Sequence, residues 1–257
     1  MSVVALMLGR GGSTGFPGKN LYPVLGRPLM AYPLMAARDS ATVDRVYVST
    51  DSEEIMEVAR EFGAEIIVRP PELATPEALG EDAYRHGYEV IRDEFAERGE
   101  EIELLALLFA NAPNVTPELI DEGVGKLRAD PSLDSAITVS RYNMWSPLRA
   151  RKLDGEGLLK PFVPFEVFGD PATLNCDRDS QGDVWFADFG VTVIRPKWLE
   201  PEWLAQGLLP QKWMGQRIAH IESWGGGDVD YDWQIAVSEF WLAAHGVRAA
   251  HAPNPVG

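Results

Sequence analysis

The chain has a single cysteine, Cys176, in 257 residues, which excludes an intrachain disulfide framework and fits a reducing compartment such as the cytoplasm. Nowhere do about 20 apolar residues run together, as a membrane-crossing helix requires. The opening Met1-Ser2-Val3-Val4-Ala5-Leu6-Met7-Leu8 has neither the basic flank nor the length of a signal sequence. The four histidines, His86, His220, His245 and His251, stand at no metal-ligand spacing to Cys176, which argues against zinc. Positive charge is also scarce. Against 39 acidic residues there are 23 basic ones, a formal charge of -16, and that balance offers no broad footprint for nucleic acid or an anionic membrane. A small polyanion would need a local cluster of cations.

What is present is 46% apolar residues, enough for one substantial core, and no repeat, low-complexity tract or linker divides the chain. A single domain over 1–257 is expected. Val3 to Leu8 is a short apolar run of the kind buried on both faces of a parallel sheet. A glycine loop and a helical pattern over Leu29 to Ala37 follow. The strand pattern at Val43 to Ser49 leads to Asp51 and Glu54, spaced as a capping box for a helix carrying Ile55, Ala59 and Phe62. Further strands are expected at Glu65 to Val68, Leu104 to Phe109, Ser135 to Val139 and Trp185 to Ile194, with helices over Pro76 to Glu97 and Pro117 to Ala129. Trp233, Val237, Phe240, Trp241 and Ala244 are read as the buried face of a last helix. This alternation implies an α/β three-layer sandwich with a mostly parallel sheet. The irregular stretch at about 141–183 is read as an insertion or a dimerisation arm.

The loop Gly9-Arg10-Gly11-Gly12-Ser13-Thr14-Gly15-Phe16-Pro17-Gly18-Lys19-Asn20 carries five glycines. Glycine lets backbone N–H groups approach phosphate oxygens closely, Arg10 and Lys19 offer positive charge, and Ser13 and Thr14 offer hydroxyls. The loop matches neither a P-loop nor Gly-x-Gly-x-x-Gly, so spacing alone leaves a phosphate cradle and a tight β-to-α turn as equal readings. Near the other end, Asp228-Val229-Asp230-Tyr231-Asp232 follows three glycines. Carboxylates so close together suit Mg2+, which takes one or two of them plus phosphate oxygens and water. They also suit the start of a helix, where negative charge is favoured without any metal.

Gly9-Arg10-Gly11-Gly12-Ser13, Phe16-Pro17-Gly18-Lys19-Asn20-Leu21, Leu25-Gly26-Arg27-Pro28-Leu29, Val48-Ser49-Thr50-Asp51 and Arg69-Pro70-Pro71-Glu72-Leu73-Ala74, in that order, resemble the acylneuraminate (CMP-sialic acid) cytidylyltransferases. The likeness covers about the first 75 residues and resumes at the aspartates. It implies a Rossmann-like fold of the nucleotide-diphospho-sugar transferase type, transfer of CMP from CTP to a nonulosonic acid, dependence on Mg2+ and a homodimer. Carried over residue by residue, it implies that Arg10, Ser13 and Lys19 hold the triphosphate, that Asn20 follows the lysine as in the family and that Arg69 is another nucleotide-site residue; Gly9, Gly11, Gly12 and Thr14 are nucleotide-binding candidates as the rest of the loop. Arg10 and Lys19 would be the catalytic cations. Asp228 and Asp230 would be the metal ligands, with Asp232 as a cap. Asn111, in Phe109-Ala110-Asn111-Ala112-Pro113 where the family often has Gln-Pro-Thr-Ser-Pro, matches by position as a nucleotide contact.

Two departures bear on the acceptor and on rate. Thr14 stands where the family commonly has lysine, and a hydroxyl does not replace that charge. Trp185-Phe186-Ala187-Asp188-Phe189-Gly190 stands where the family has Arg-Pro-Asn-Gly. Arg141, Tyr142, Arg149 and Asp188 are the candidate acceptor contacts, since cations beside aromatic rings can grip a carboxylate and a sugar face. The same residues suit a dimer contact or a surface hairpin. Other readings remain: an acceptor that is a Kdo-like acid, a phosphonate or a sugar phosphate, a glycosyltransferase using Asp228-Val229-Asp230, or a regulator that binds nucleotide without turnover.

Overall fold

The computed structural model describes residues 1–12, 15–175, 177 and 182–250. Its frame is a seven-stranded sheet. In chain order the large strands are β1 (Ser2–Leu8), β4 (Arg45–Thr50), β5 (Glu65–Val68), β6 (Ile102–Phe109), β7 (Ser135–Arg141), β10 (Trp185–Ile194) and β11 (Ile218–Ser223). The short pairs β2 (Pro23–Val24) with β3 (Arg27–Pro28) and β8 (Arg151–Leu153) with β9 (Leu159–Pro161) form two separate ribbons. Across the main sheet the order is β11-β7-β10-β6-β1-β4-β5. All pairings are parallel except those of β10, which runs antiparallel to β6 and β7.

The apolar run of β1 is divided between the two faces by strand alternation. Val3, Ala5 and Met7 face α1 (Ala31–Asp39), α2 (Glu53–Glu61) and α4 (Pro117–Ala129), meeting Leu34, Ile55 and Val124. Val4, Leu6 and Leu8 face α3 (Gly80–Glu97), where Tyr84, Ile91 and Phe95 are buried. α5 (Pro201–Leu204) closes the second face through Leu204, and α6 (Gln234–Ala244) packs Ile235, Trp241 and Leu242 on Val24, Leu29 and Tyr32. A mostly parallel sheet covered by helices on both faces is the expected three-layer α/β sandwich.

Several expectations need correction. The cap of α2 is Ser52, whose Oγ accepts from the Ile55 amide at 3.4 Å, and not Asp51, which accepts from the Gly11 amide at 3.0 Å. α3 begins at Gly80, four residues later than the pattern suggested, because the Arg10 guanidinium donates to the Thr75 carbonyl at 2.8 Å and keeps the segment before Gly80 as a wall of a cleft. The buried face of α6 is Ile235, Ser238, Trp241 and Leu242, whereas Trp233, Val237 and Phe240 stand 64%, 49% and 67% exposed. Apolar residues occur all around that helix, so periodicity could not orient it. The irregular middle contains short helical turns and the β8–β9 ribbon, and β11 was not anticipated.

Candidate active site

In a parallel sheet, ligands gather at the carboxyl ends of the strands. Here β1, β5 and β6 end around a cleft of about 240 Å³ lined by Gly9, Arg10, Gly12, Lys19, Asn20, Arg69 and Asn111 together with Leu73, Thr75 and Leu79. The glycine loop leaves β1 in close contact with its neighbours. A Cβ on Gly9 would stand 3.0 Å from that of Ala110, and the Gly9 amide donates to Ser49 O at 3.2 Å. Asn20, buried, donates to Arg10 O at 3.2 Å and ties the end of the loop to its beginning. Gly11 lies on the outer side of the loop, packed on Ser52. Ser13 and Thr14 lie outside the described residues.

Arg69 is 6% exposed, and its guanidinium donates to Ser49 O at 2.6 Å and Ser49 Oγ at 3.2 Å. Burial pulls its pKa down, with Arg10 adding to the effect and Asp51 and Tyr84 opposing it. Arg10, Lys19 and Arg69 thus concentrate positive charge on one wall of an otherwise acidic protein. That is the local cluster a small polyanion requires.

The aspartates reach this wall from the far end of the chain. Lys19 Nζ lies 2.6 Å from Asp230 Oδ1. Between the two acids, Val229 is buried and bonds twice to Asn111: its amide donates to the Asn111 backbone O at 2.8 Å and the Asn111 side-chain Nδ2 donates to Val229 O at 3.3 Å. The amides of Asp230 and Tyr231 donate to Gln234 Oε1 at 2.7 and 2.8 Å, and Asp232 accepts from the Trp233 amide at 2.8 Å just ahead of α6. Asp228 keeps one buried oxygen, Oδ1, without a hydrogen-bond partner. Burial, with the charge of Asp230 beside it and Lys19 opposing, pushes its carboxyl up to about 6.

An orphaned carboxylate oxygen near a second carboxylate is a donor set that fits a hard divalent cation. Among the described residues no group of three or more His, Cys, Asp or Glu side chains could hold a metal. The shell of Mg2+ would therefore be completed by phosphate oxygens and water, its usual arrangement with nucleotides.

The candidate acceptor residues are placed apart from the cleft wall. Arg141 and Tyr142 lie at the carboxyl end of β7, where Arg141 pairs with Asp183 at 3.4 Å and Tyr142 stacks on Trp145 with ring centres 4.2 Å apart. Trp145 meets the edge of Phe186 at 5.4 Å. Arg149 ends a short helical turn ahead of β8. Asp188 is 8% exposed and accepts from the Ser140 hydroxyl at 2.7 Å, behind the glycine turn that precedes Asp228. Sequence reasoning missed Asn114, Ser140 and Gln234, which brace the aspartate segment. Each is an isolated polar residue with no spacing to mark it.

Comparison with known proteins follows the same lines. A family model described as cytidylyltransferase matches residues 4–141. The chain is 34% identical over 139 residues to N-acylneuraminate cytidylyltransferase A of Danio rerio, covering 54% of this chain and 30% of that protein. It is 30% identical over 172 residues to CMP-N,N'-diacetyllegionaminic acid synthase of Legionella pneumophila, covering 65% of this chain and 71% of that one. The match thus spans less than a third of the length of the Danio rerio protein. The solved structure of CMP:2-keto-3-deoxy-manno-octonic acid synthetase complexed with CTP superposes with a TM-score of 0.65 over 95% of this chain and 100% of that one, at 18% identity. At that identity the likeness is one of fold.

Proposed function

The chain belongs to the cytidylyltransferase family, and from that premise we propose that it transfers CMP from CTP to an acidic sugar, a nonulosonic acid of the sialic acid kind, with release of pyrophosphate. The observation that carries this reading is the gathering of Arg10, Lys19 and Arg69 on one cleft, with Asp230 tied to it by its 2.6 Å contact with Lys19. Residues more than 200 positions apart supply opposite charges to one point, as a metal–triphosphate complex requires.

The acceptor hydroxyl oxygen attacks the α-phosphorus in line and gives its proton to solvent, while the bond from the α-phosphorus to the bridging oxygen breaks and pyrophosphate leaves. Arg10, Lys19 and Arg69 hold the triphosphate and offset the charge that grows on the departing pyrophosphate. The backbone amides of the glycine loop fix the orientation of the phosphates, and most of the acceleration comes from that fixing and from electrostatics. Mg2+, held by Asp228 and Asp230, would supply further charge neutralisation when bound. No side chain is required to form a covalent intermediate.

A second reading changes only the acceptor: a Kdo-like acid, a phosphonate or a sugar phosphate. It is motivated by Trp185 and Phe186 standing 41% and 38% exposed where the family has an arginine. A homodimer fits the arm, where Leu159 and Phe162 are 68% and 60% exposed, and a cytoplasmic location fits the use of CTP. Among the described residues no helix is long and apolar enough to cross a membrane. The test is magnesium-dependent pyrophosphate release from CTP, ATP, GTP and UTP against nonulosonic, Kdo-like and phosphonate acceptors. Release with CTP and one acid is the expected result; absence of CTP binding in any form would remove the reading.

A further inference from the structure

The turn Gly225-Gly226-Gly227 must set Asp228 beside Asp230 and Lys19, yet three successive glycines have nothing of their own to hold one conformation. The fixing comes from neighbouring strands. Asn114 Nδ2 donates to Gly225 O, and the Gly226 amide donates to Ser140 Oγ at 3.4 Å. Ser140, 1% exposed at the end of β7, donates its own proton to Asp188 Oδ2 at 2.7 Å. The other oxygen of Asp188 takes the Gly190 amide at 3.3 Å.

The polarity of this relay is forced. A carboxylate only accepts, so the Ser140 proton must point at Asp188 and an oxygen lone pair is left for the Gly226 amide. Contact is also direct, because a Cβ on Gly226 would stand 2.3 Å from Asp188 Cγ and Oδ2. Asp188 reaches this place through an irregularity: between Ala187 and Thr192 the register of β10 against β7 shifts, and Phe189 adopts φ 54°. A buried carboxylate and a non-glycine residue with positive φ both disfavour folding, and such features persist where a site needs them.

We infer that Asp188, acting through Ser140, is a positioning residue that locks the glycine turn and so sets where Asp228 presents its carboxylate. This rests on the metal-assisted cytidylyl transfer proposed above, and it moves Asp188 from contact with the acceptor to support of the metal site. In Asp188→Asn the amide competes as a donor, the Ser140 proton loses its fixed direction and the turn loosens.

The experiment is direct Mn2+ binding in the presence of saturating CTP, read by electron paramagnetic resonance, for the unmodified chain, Asp188→Asn and Ser140→Ala, beside calorimetry of CTP without metal. Removing an outer support of a metal ligand commonly weakens metal binding by about 10-fold or more, and both variants are expected to do so while metal-free CTP affinity stays within roughly twofold. Ser140→Ala removes one oxygen and keeps the test valid if Asp188→Asn folds poorly. Unchanged Mn2+ affinity in Ser140→Ala and Asp188→Asn, with only a lower melting temperature, would overturn the positioning role alone. No Mn2+ binding by the unmodified chain with CTP would overturn the metal reading, and this inference with it.

Discussion

Lys19 and Arg69 line the same cleft but do different work for the fold. Lys19, its side chain 12% exposed, contacts Asp230, whose side chain is 59% exposed, and an ion pair open to solvent on one side contributes about 1 kcal/mol or less. Lys19→Ala and Asp230→Ala should therefore leave the melting temperature within a few degrees while lowering kcat roughly 100-fold, the usual cost of one charge-stabilising group. Pyrophosphate release and thermal unfolding measured on the same samples check this, and undiminished release by either variant would remove that residue from the site. Arg69, by contrast, is buried and donates to the backbone of Ser49. Arg69→Ala leaves Ser49 O with the Gly9 amide alone and takes the guanidinium from Ser49 Oγ, and a loss of about 1–3 kcal/mol in chemical denaturation should accompany weaker CTP binding.

Two elements show how side chains set local order. Asp121, on α4, accepts from the hydroxyls of Ser40 and Thr42 and the amides of Ala41 and Thr42, at 2.6 to 3.1 Å, and so clamps the turn between α1 and β4. Burial alone would raise its pKa, but these four donors outweigh it and the carboxyl is held below its ordinary value. A carboxylate depressed in the folded state adds stability that is fully present above the unfolded pKa of about 3.9 and is lost as pH falls through the lower folded value. Asp121→Ala should thus cost about 1–3 kcal/mol at pH 7, with the gap to the parent closing below about pH 4, as denaturant unfolding at a series of pH values would show. On α6 the two faces separate cleanly. Trp241→Ala empties a site 1% exposed and should cost about 3–5 kcal/mol, whereas Val237→Gln with Phe240→Gln should change unfolding by no more than about 0.5 kcal/mol each. Equal effects from the two changes would place the buried face of α6 wrongly.

At the scale of the whole molecule, the homodimer proposed above predicts that sedimentation gives about twice the 28.4 kDa chain mass. Leu159→Ser with Phe162→Ser should yield a monomer with the sheet intact by circular dichroism, and an unchanged dimer would move the contact elsewhere. The sequence by itself determined the sandwich. β1, β6 and α4 fall where periodicity placed them, because burial on both faces of a parallel sheet demands continuous apolar strands and amphipathic helices between them, and β10 falls in place as well although it runs antiparallel. It also determined the glycine loop with Arg10 and Lys19, since close approach to a backbone admits only glycine and charge must stand beside it. Tertiary structure alone decided what meets that loop. Asp230 lies 211 positions from Lys19, Asp51 left its expected cap to take the Gly11 amide, and Ser140 and Asp188 came to rest on a turn of three glycines. These are contacts between isolated polar residues brought together by strand order, and they leave no periodic trace in the chain. The orientation of α6 was decided in the same way, because a helix apolar on all sides can be turned only by the surface it packs against.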